Sequence, residues 1–167
     1  MAKLKREQHR LYARHTSSDP WFLIGRGNDD LSVEMNGSYE QTKDVTGEVE
    51  VSDTGYQPQI GIDPYIPDPE KDPEWYSFLK DLALNRKSGD EAKAEYMEVL
   101  IVDDEDEKHQ AWKENCKIEI TNYGGDTSGF HINYNIWVAG GRTEGSATYS
   151  DKLPTWSDEK VDSLLLP

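Results

Sequence analysis

Strict alternation of apolar and polar side chains limits the fold of this sequence more than any other feature. In residues 130–138, Phe, Ile, Tyr, Ile and Val alternate with His, Asn, Asn and Trp. The same period-2 pattern recurs in residues 31–36, 44–52 and 116–121. Because successive side chains of a β-strand point to opposite faces, each segment predicts a strand with one buried and one solvated face.

Further strands are predicted at 21–24, 57–62, 96–102 and 143–149, where apolar runs are short or alternate with polar residues. The strands at 31–36 and 44–52 are expected to form a long hairpin through the polar stretch around 37–46. The glycine-rich stretch 123–129 is predicted to be the loop before the strand at 130–138.

One helix is predicted after Asp72, which is followed by proline and glutamate, an arrangement typical of a helix start. Gly89 is expected to end it. The apolar side chains of this segment recur at helical spacing and form one stripe, which predicts that they face the core. The stripe consists of Trp75, Phe78, Leu79 and Leu82.

Strands before and after a single helix predict the α+β class. We expect two antiparallel sheets, arranged as a sandwich or an open barrel, with one flanking helix and a long hairpin. The 167 residues fit one domain. Within 1–167, residues 1–19 are interpreted as an N-terminal arm and residues 150–167 as a C-terminal extension.

Negative charge dominates the chain, whose formal net charge is -15. Residues 28–76 hold thirteen acidic groups against Lys43 and Lys71, whereas residues 1–15 hold five basic groups against Glu7. Such an acidic excess repels nucleic acid and disfavours a protein that grips phosphates. It is compatible with a surface past which DNA slides without adhering.

No motif for catalysis, a cofactor or a metal ion stands out. The four histidines do not have zinc-ligand spacing, and the carboxylates are too numerous for one pair to suggest a hydrolase. The only cysteine, Cys116, falls on the apolar side of its strand and is interpreted as a core residue. We therefore expect no cofactor, no metal site and no enzymatic activity. No apolar run approaches the length that spans a bilayer, so no membrane insertion is expected.

The motifs, taken in order, resemble the tail tube (major tail) proteins of bacteriophages that infect Gram-positive bacteria. The most specific match is residues 118–126, Ile-Glu-Ile-Thr-Asn-Tyr-Gly-Gly-Asp, followed by residues 132–136. The resemblance covers roughly residues 1–149, and residues beyond 150 depart from it. The other matching segments are residues 1–6, 23–27, 56–60, 75–79, 84–86, 89–92 and 140–145.

This resemblance implies a structural virion protein without catalysis. Its copies would form hexameric rings that stack into the tube through which DNA is ejected. It implies two sheets with one flanking helix, and inner strands of neighbouring copies that join into one barrel. The implied partners are other copies, the tape measure, baseplate or tip, terminator or sheath proteins, and DNA in transit. The implied location is the virion tail, assembled in the host cytoplasm.

Three sets of residues are candidates for contacts in such an assembly. The polar strand face is expected to line the channel, the hairpin to join subunits, and the basic N-terminal arm to join rings. The lumen-facing set is Glu34, Glu48, Glu50, Glu119, Asn133 and Asn135. The hairpin set is Asn36, Gly37, Tyr39, Thr42 and Val45, and the N-terminal set is Lys3, Lys5 and Arg6.

An alternative is a β-sandwich module that binds carbohydrate or protein, because the chain has five tryptophans and nine tyrosines. Trp21 and Trp75 are predicted to be buried, whereas Trp137 lies on the polar face of its strand. Specific glycan binding by a stable monomer would favour that alternative. The acidic strand faces and the long hairpin instead favour a subunit that completes its sheets with neighbouring copies.

Overall fold

Eight strands join into one antiparallel sheet, and two more form a separate two-stranded sheet. These elements come from a computed structural model that describes residues 3–161. The strands are β1 His9–Arg14, β2 Phe22–Leu23, β3 Val33–Glu34, β4 Tyr39–Lys43, β5 Val49–Asp53, β6 Gln59–Ile62, β7 Lys93–Leu100, β8 His109–Asp126, β9 Gly129–Ser150 and β10 Leu153–Ser157; the helix is α1 Pro73–Leu84. The predicted α+β class with two antiparallel sheets and one α-helix is confirmed.

The main sheet has the order β2-β1-β7-β8-β9-β6-β3, and β10 adds to the C-terminal part of β9. At its centre β8 and β9, of 18 and 22 residues, form one long hairpin. The two strands therefore extend through the predicted loop at 123–129, and their register closes on the pair Asp126 and Gly129. The strand predicted at 143–149 is continuous with the one at 130–138.

A bend divides β9 at two consecutive glycines. Gly140 and Gly141 have φ of 92° and 73°, which glycine adopts at no steric cost. Opposite them the register of β8 shifts between Lys113 and Cys116. This irregularity, which we call the corner, separates the part of the hairpin near its turn from the part that pairs with β10.

The main core lies between one face of the sheet and α1. Trp75 and Leu79 of the helix are 3% and 0% exposed, and the Trp75 indole donates a hydrogen bond to the Tyr134 hydroxyl at 3.2 Å. A second, smaller core on the other face contains Met97 and Val99 and is covered by Trp156 of β10. The predicted helical stripe and the burial of Trp21, Trp75 and Cys116 are confirmed.

The helix begins where the sequence predicts, with Asp72 as the N-cap residue and Pro73 as its first residue, but the contacts at both ends differ from expectation. The Asp72 side chain makes no cap hydrogen bond and instead accepts one from Arg26 at 3.2 Å. The helix ends at Leu84, and Arg86, with φ of 54°, adopts the left-handed conformation expected of Gly89. A non-glycine residue can occupy such a position when surrounding contacts hold it there.

The predicted pairing of 31–36 with 44–52 is wrong. Val33 of β3 pairs with Ile60 of β6, and β4 pairs with β5. Backbone hydrogen bonds continue the β3–β6 ladder towards β4–β5, from Gln57 to the Met35 carbonyl and from Thr54 to the Ser38 carbonyl. A long hairpin therefore exists, but its strands lie at other residues than predicted. The polar stretch predicted as its loop forms β4, and only residues 44–48 form the turn.

The chain ends also differ from expectation. No strand is predicted in residues 1–19, yet β1 lies inside the sheet, with Leu11, Tyr12 and Ala13 exposed by 2% or less. Its alternation is hidden because Arg10 and Arg14 flank the buried residues. In the C-terminal extension, β10 pairs with residues 146–150. Residues 1–2 of the predicted arm and residues 162–167 of the predicted extension lie outside the described residues.

Candidate assembly surfaces

Four strand segments make a ribbon with two unlike faces. We define the ribbon as β3, β6, residues 118–126 of β8 and residues 129–138 of β9. Its apolar face packs onto the main core, with Ile60, Ile132 and Ile136 each 0% exposed. Because the chain covers only this face in the ribbon, the opposite face is the one left to solvent.

The solvated face brings together four of the six predicted lumen-facing residues. Cross-strand partners share a face of a sheet, and register pairs Glu119 with Asn135 and Asn133 with Asn122. Glu34 joins them because it pairs with Gln59, which in turn pairs with Trp137. Glu50 lies instead on β5 of the separate two-stranded sheet, and Glu48 lies in the turn before it.

Hydrogen bonds hold the side chains of this face. Glu119 Oε1 accepts from Asn135 Nδ2 at 2.9 Å and from Trp137 Nε1 at 3.2 Å. Asn133, only 7% exposed, donates to Asn122 Oδ1 at 2.7 Å. The amides and the indole therefore restrain the Glu119 carboxylate and rigidify the face.

The solvated face is not uniformly acidic. Lys117, directly before the β8 segment of the ribbon, pairs with Trp137, so lysine, tryptophan, Gln59 and Glu34 stand in one row across the strands. The sequence prediction omitted Lys117, although its place between Cys116 and Ile118 puts it on the same side as Glu119. The solvated face therefore mixes acidic and amide side chains with one lysine, which gives a hydrated surface with no strong affinity for phosphate.

Both margins of the ribbon are open. On its outer edge, residues 118–126 of β8 pair with no strand among residues 3–161, since β7 ends its pairing at Lys117. At the other margin the described residues place no strand beyond β3. Unpaired backbone donors and acceptors at strand edges favour addition of another strand.

The β4–β5 hairpin carries the predicted inter-subunit residues. Asn36 has φ of 48° and donates to the Gln57 carbonyl at 3.1 Å, and the Tyr39 hydroxyl donates to that of Tyr56 at 2.9 Å. A Cβ on Gly37 would lie 2.9 Å from the Tyr39 ring, so glycine lets the ring close over the hairpin base. Val45 is fully exposed in the turn.

Every residue of β4 and β5 is exposed, yet the hairpin has two different faces. Register places Tyr39, Val49 and Val51 on one face, beside Gln41 and Lys43. Thr42 and Glu50, which pair with each other, lie on the other face with Glu40 and Ser52. The hairpin is thus an amphipathic element that packs on nothing else in residues 3–161.

The three residues predicted for N-terminal contacts differ in whether their own chain binds them. Lys3 and Lys5 are exposed. Arg6 is held by its own chain, since its guanidinium donates to the carbonyls of His9 at 2.6 Å and Leu31 at 3.0 Å. This contact leaves the two lysines as the freer charges of the set.

A charged cluster at the corner is the closest arrangement to a chemical site. Arg142 binds Glu98 at 3.0 Å and Glu114 at 2.5 Å, and His9 binds Glu98. Burial opposes ionisation of Glu98, but hydrogen bonds from His9 and Arg142 outweigh it and hold the pKa below its usual value. Burial raises the pKa of Glu114 despite Arg142. The cluster ties the bend of β9 to β7 and β8, which is a structural role.

Other chemical candidates are weaker. Burial raises the pKa of the Cys116 thiol to about 12, which leaves it inert as a nucleophile. Within residues 3–161 no three His, Cys, Asp or Glu side chains are placed to hold a metal ion. None of the described helices has the length and apolar character needed to cross a membrane. A groove of about 810 Å³ beside β1 and β2 mixes charged and apolar side chains and includes Arg6.

Comparison with known proteins identifies related folds. No protein-family model and no curated protein matches the sequence. One similar chain belongs to the cryo-EM structure of the sheath/tube terminator of an extracellular contractile injection system, PVC, in its extended state. Its TM-score is 0.52 at 12% identity, over 86% of this chain and 97% of that one.

A second similar chain belongs to the cryo-EM structure of the anti-feeding prophage cap, the AFP tube terminating cap. Its TM-score is 0.52 at 16% identity, over 88% of this chain and 93% of that one. At these identities the likeness shows a shared fold. That fold occurs in a sheath/tube terminator and in a tube terminating cap.

Proposed function

We propose that this chain is a non-enzymatic structural subunit of a phage-tail-type particle, whose copies close into rings that stack as the tail tube. The observation that carries the proposal is the ribbon. It has one face covered by its own core, one hydrated face, and an open margin at each side. A subunit with these properties lacks only neighbours to become part of a closed barrel.

Strand direction permits this closure. The four segments of the ribbon are antiparallel to one another in turn, so β8 and β3 run in opposite directions. When β8 of one copy meets β3 of the next, the alternation continues without a break. The contact is heterologous, and a heterologous contact that closes makes a ring and leaves no free edge. The hexameric number rests on the resemblance to tail tube proteins.

Closure also decides which face lines the channel. The apolar face lies under α1 and the core, so the hydrated face with Glu34, Glu119, Asn133 and Asn135 is turned towards the ring axis. Glu34 supplies negative charge, Glu119 is restrained by hydrogen bonds, and the half-buried Asn135 adds a neutral polar group, whereas Asn133 is almost completely buried. Such a wall lets DNA pass with little adhesion. The particle would be assembled in the host cytoplasm, and this protein would be part of its tail.

The hairpin and the N-terminal lysines remain available for contacts between rings. Further partners are the proteins that fill, start and end a tail tube, namely tape measure, baseplate or tip, and terminator or sheath proteins. The resemblance to the tail tube proteins of phages that infect Gram-positive bacteria is one source of this proposal, and the shared fold is the other.

A second candidate is a ring that ends the tube instead of extending it. The two similar chains come from a tube terminator and a tube terminating cap, which supports this candidate. A terminator would form single rings and bind one end of a tube, whereas a tube subunit would polymerise.

The test is electron microscopy of the purified protein joined to cross-linking of the two margins. Rings or tubes with a central hole are expected, and compact monomers at every concentration would overturn the proposal. Thr121→Cys lies on β8 and Ser32→Cys beside β3, and both positions are exposed. Cys116 is buried and does not compete for a bis-maleimide.

Mixing the two cysteine variants should give covalent dimers, and neither variant alone should do so. Equal cross-linking within one variant would indicate a symmetric contact and contradict ring closure through β8 and β3. The wild-type chain, with Cys116 alone, is the control for background labelling.

A further inference from the structure

The hairpin and the β8–β9 turn lie at opposite ends of the ribbon. Along β9 the chain runs from the turn at Gly129 towards Trp137. β3 runs in the same direction, because it is antiparallel to β6, and β6 is antiparallel to β9. The chain leaves β3 at Glu34, level with Trp137, and continues into β4. The hairpin therefore departs from the end of the ribbon that is remote from the β8–β9 turn.

The end with the β8–β9 turn carries an exposed apolar surface. We define the tip surface as Ile66, Arg86, Tyr123 and Phe130. The three apolar side chains are 49%, 38% and 42% exposed. Ile66 lies against Gly129, since a Cβ on that glycine would be 3.6 Å from Ile66 Cγ2. Arg86 donates to the Tyr123 hydroxyl at 3.4 Å.

Arg86 is a cation without an acidic partner within the described part of the chain. The ion pairs among residues 3–161 include Lys87 with Asp81 but none with Arg86. The tip surface thus combines exposed aromatic and aliphatic groups with one uncompensated positive charge.

The hairpin has the complementary chemistry. Tyr39, Val49 and Val51 are exposed by 56%, 51% and 62% on one face. Asp53 lies on the same face as the two valines, and Asp44 and Glu48 lie in the adjoining turn, against the single cation Lys43. A two-stranded hairpin that packs on nothing is at best marginally stable in water. A partner that covers the valine face and offers a cation to the acidic groups would stabilise it.

We propose that the hairpin of one copy docks on the tip surface of the next copy along the tube axis. The occupant of the tip surface is a second copy of this chain. This contact rests on the proposed function, because it supplies the ring-to-ring contact of a tube. Since the two surfaces lie at opposite ends of one molecule, the contact is heterologous and repeats without limit, which produces a stack.

Matched substitutions test each surface. On the hairpin, Val51→Glu adds a charge to the valine face, and Ser52→Glu adds the same charge to the neighbouring position on the other face. On the tip, Phe130→Glu alters the tip surface, and His131→Glu alters the adjacent residue on the other face of β9. Circular dichroism and thermal melting verify that each variant is folded.

Val51→Glu and Phe130→Glu are each expected to raise the critical concentration for tube growth at least about tenfold, equivalent to about 1.4 kcal/mol. Single rings should persist. Ser52→Glu and His131→Glu should stack within about twofold of the wild type, because they avoid the contact. Electron microscopy and sedimentation measure both quantities. If Val51→Glu stacks as well as Ser52→Glu, or Phe130→Glu as well as His131→Glu, the proposal is overturned.

A mixture of the two damaging variants gives a sharper result. The Phe130→Glu copy keeps a good hairpin and the Val51→Glu copy keeps a good tip, so one productive contact remains. The mixture should form paired rings, or heterodimers where rings are absent, and no long tubes. Absence of any complex in the mixture would overturn the head-to-tail contact.

The outcomes separate this contact from the proposed function. A wild-type protein that forms neither rings nor tubes contradicts the proposed function, and the mixture then still tests the contact through heterodimers. Wild-type tubes that are insensitive to Phe130→Glu would retain the proposed function and remove this contact. Sensitivity to Val51→Glu alone would indicate that hairpins pair with each other.

Discussion

In the ribbon, Ile60 and Ile136 are completely buried, whereas in the hairpin Val49 and Val51 are more than half exposed. Both regions are antiparallel strands in which apolar and polar side chains alternate. The ribbon carries its own cover, in α1 and the core beneath it. The hairpin has none among residues 3–161. Alternation therefore specifies that a strand has an apolar side, and it does not specify whether the same chain or another copy covers that side.

The largest expected difference between the two regions is in stability. Ile136→Ala should reduce the free energy of unfolding by about 2–5 kcal/mol, because it leaves a cavity in the core. Val51→Ala in the monomer should change it by about 0.5 kcal/mol or less, because the side chain touches little. Urea unfolding of both variants measures the values. Similar losses would mean that the hairpin is covered within one copy.

The next largest difference in stability is expected between the charged groups of the corner and those of the hairpin. Glu98→Gln at the corner is expected to cost about 1–2 kcal/mol at pH 7, a reduced value because Arg142 is 42% exposed. Since the pKa of Glu98 is lowered by folding, its contribution is present above the usual carboxyl pKa and is lost as pH falls through the lower, folded value. The cost should therefore vanish in acid, as followed by urea unfolding at several pH values.

Glu114→Gln is the matched variant at the same corner. Its pKa is raised by burial, so ionisation disfavours the folded state as pH rises, and the glutamine should be neutral or mildly stabilising at pH 7. Glu50→Gln on the exposed hairpin should leave the free energy of unfolding at pH 7 unchanged, because the side chain contacts little. Equal losses for Glu98→Gln and Glu114→Gln would contradict the assignment of opposite pKa shifts.

The sequence-based predictions agree with the structure where periodicity alone determines which side of an element is buried. The helical stripe, the buried Cys116 and the two faces of residues 130–138 follow directly from periodicity. Strand β1 was missed because two arginines keep their charged ends in solvent while their neighbours are buried. Arg86 was missed because its left-handed conformation depends on tertiary contacts. The pairing of β3 with β6 could not be read locally, since alternation is equally compatible with several partners.

The candidate surfaces show the same limit. Alternation alone grouped Glu119, Asn133 and Asn135, and the structure places them on one face with Glu34. It also assigned Glu48 and Glu50 to the lumen, whereas Glu50 lies on the two-stranded sheet and Glu48 in its turn. The tip surface had no local signal, because Ile66, Arg86 and Phe130 come from three distant parts of the chain.

The next prediction concerns the binding of DNA to assembled tubes. It tests whether the ribbon or the hairpin faces the channel. Tubes with Glu34→Lys and Glu119→Lys should bind short double-stranded DNA about tenfold more tightly at low salt, because lysines then face the phosphates. The binding should weaken steeply with salt. Glu48→Lys with Glu50→Lys makes the same charge change on the hairpin and should leave adhesion near that of the wild type. Stronger adhesion from the hairpin pair would place the hairpin in the channel.

The smallest expected effect is confined to the hairpin turn. Asp44 Oδ1 accepts hydrogen bonds from the amides of Thr46 at 2.9 Å and Glu48 at 3.1 Å, and from the Thr46 hydroxyl. The hydroxyl bond and these amides lower the pKa of Asp44. Asp44→Ala should increase hydrogen exchange of β4 and β5 and leave the melting temperature and the exchange of β9 unchanged, because the hairpin supports no core.

Asp44→Asn keeps an acceptor oxygen and should retain most of the protection, which separates the hydrogen bonds from the charge. The lowered pKa also implies that the contribution of the Asp44 carboxylate to the turn is lost as pH falls through its folded value. In assembled tubes the same Asp44→Ala variant should be protected, because a neighbouring copy covers the hairpin. Equal exchange in monomers and tubes would show that the hairpin stays uncovered after assembly.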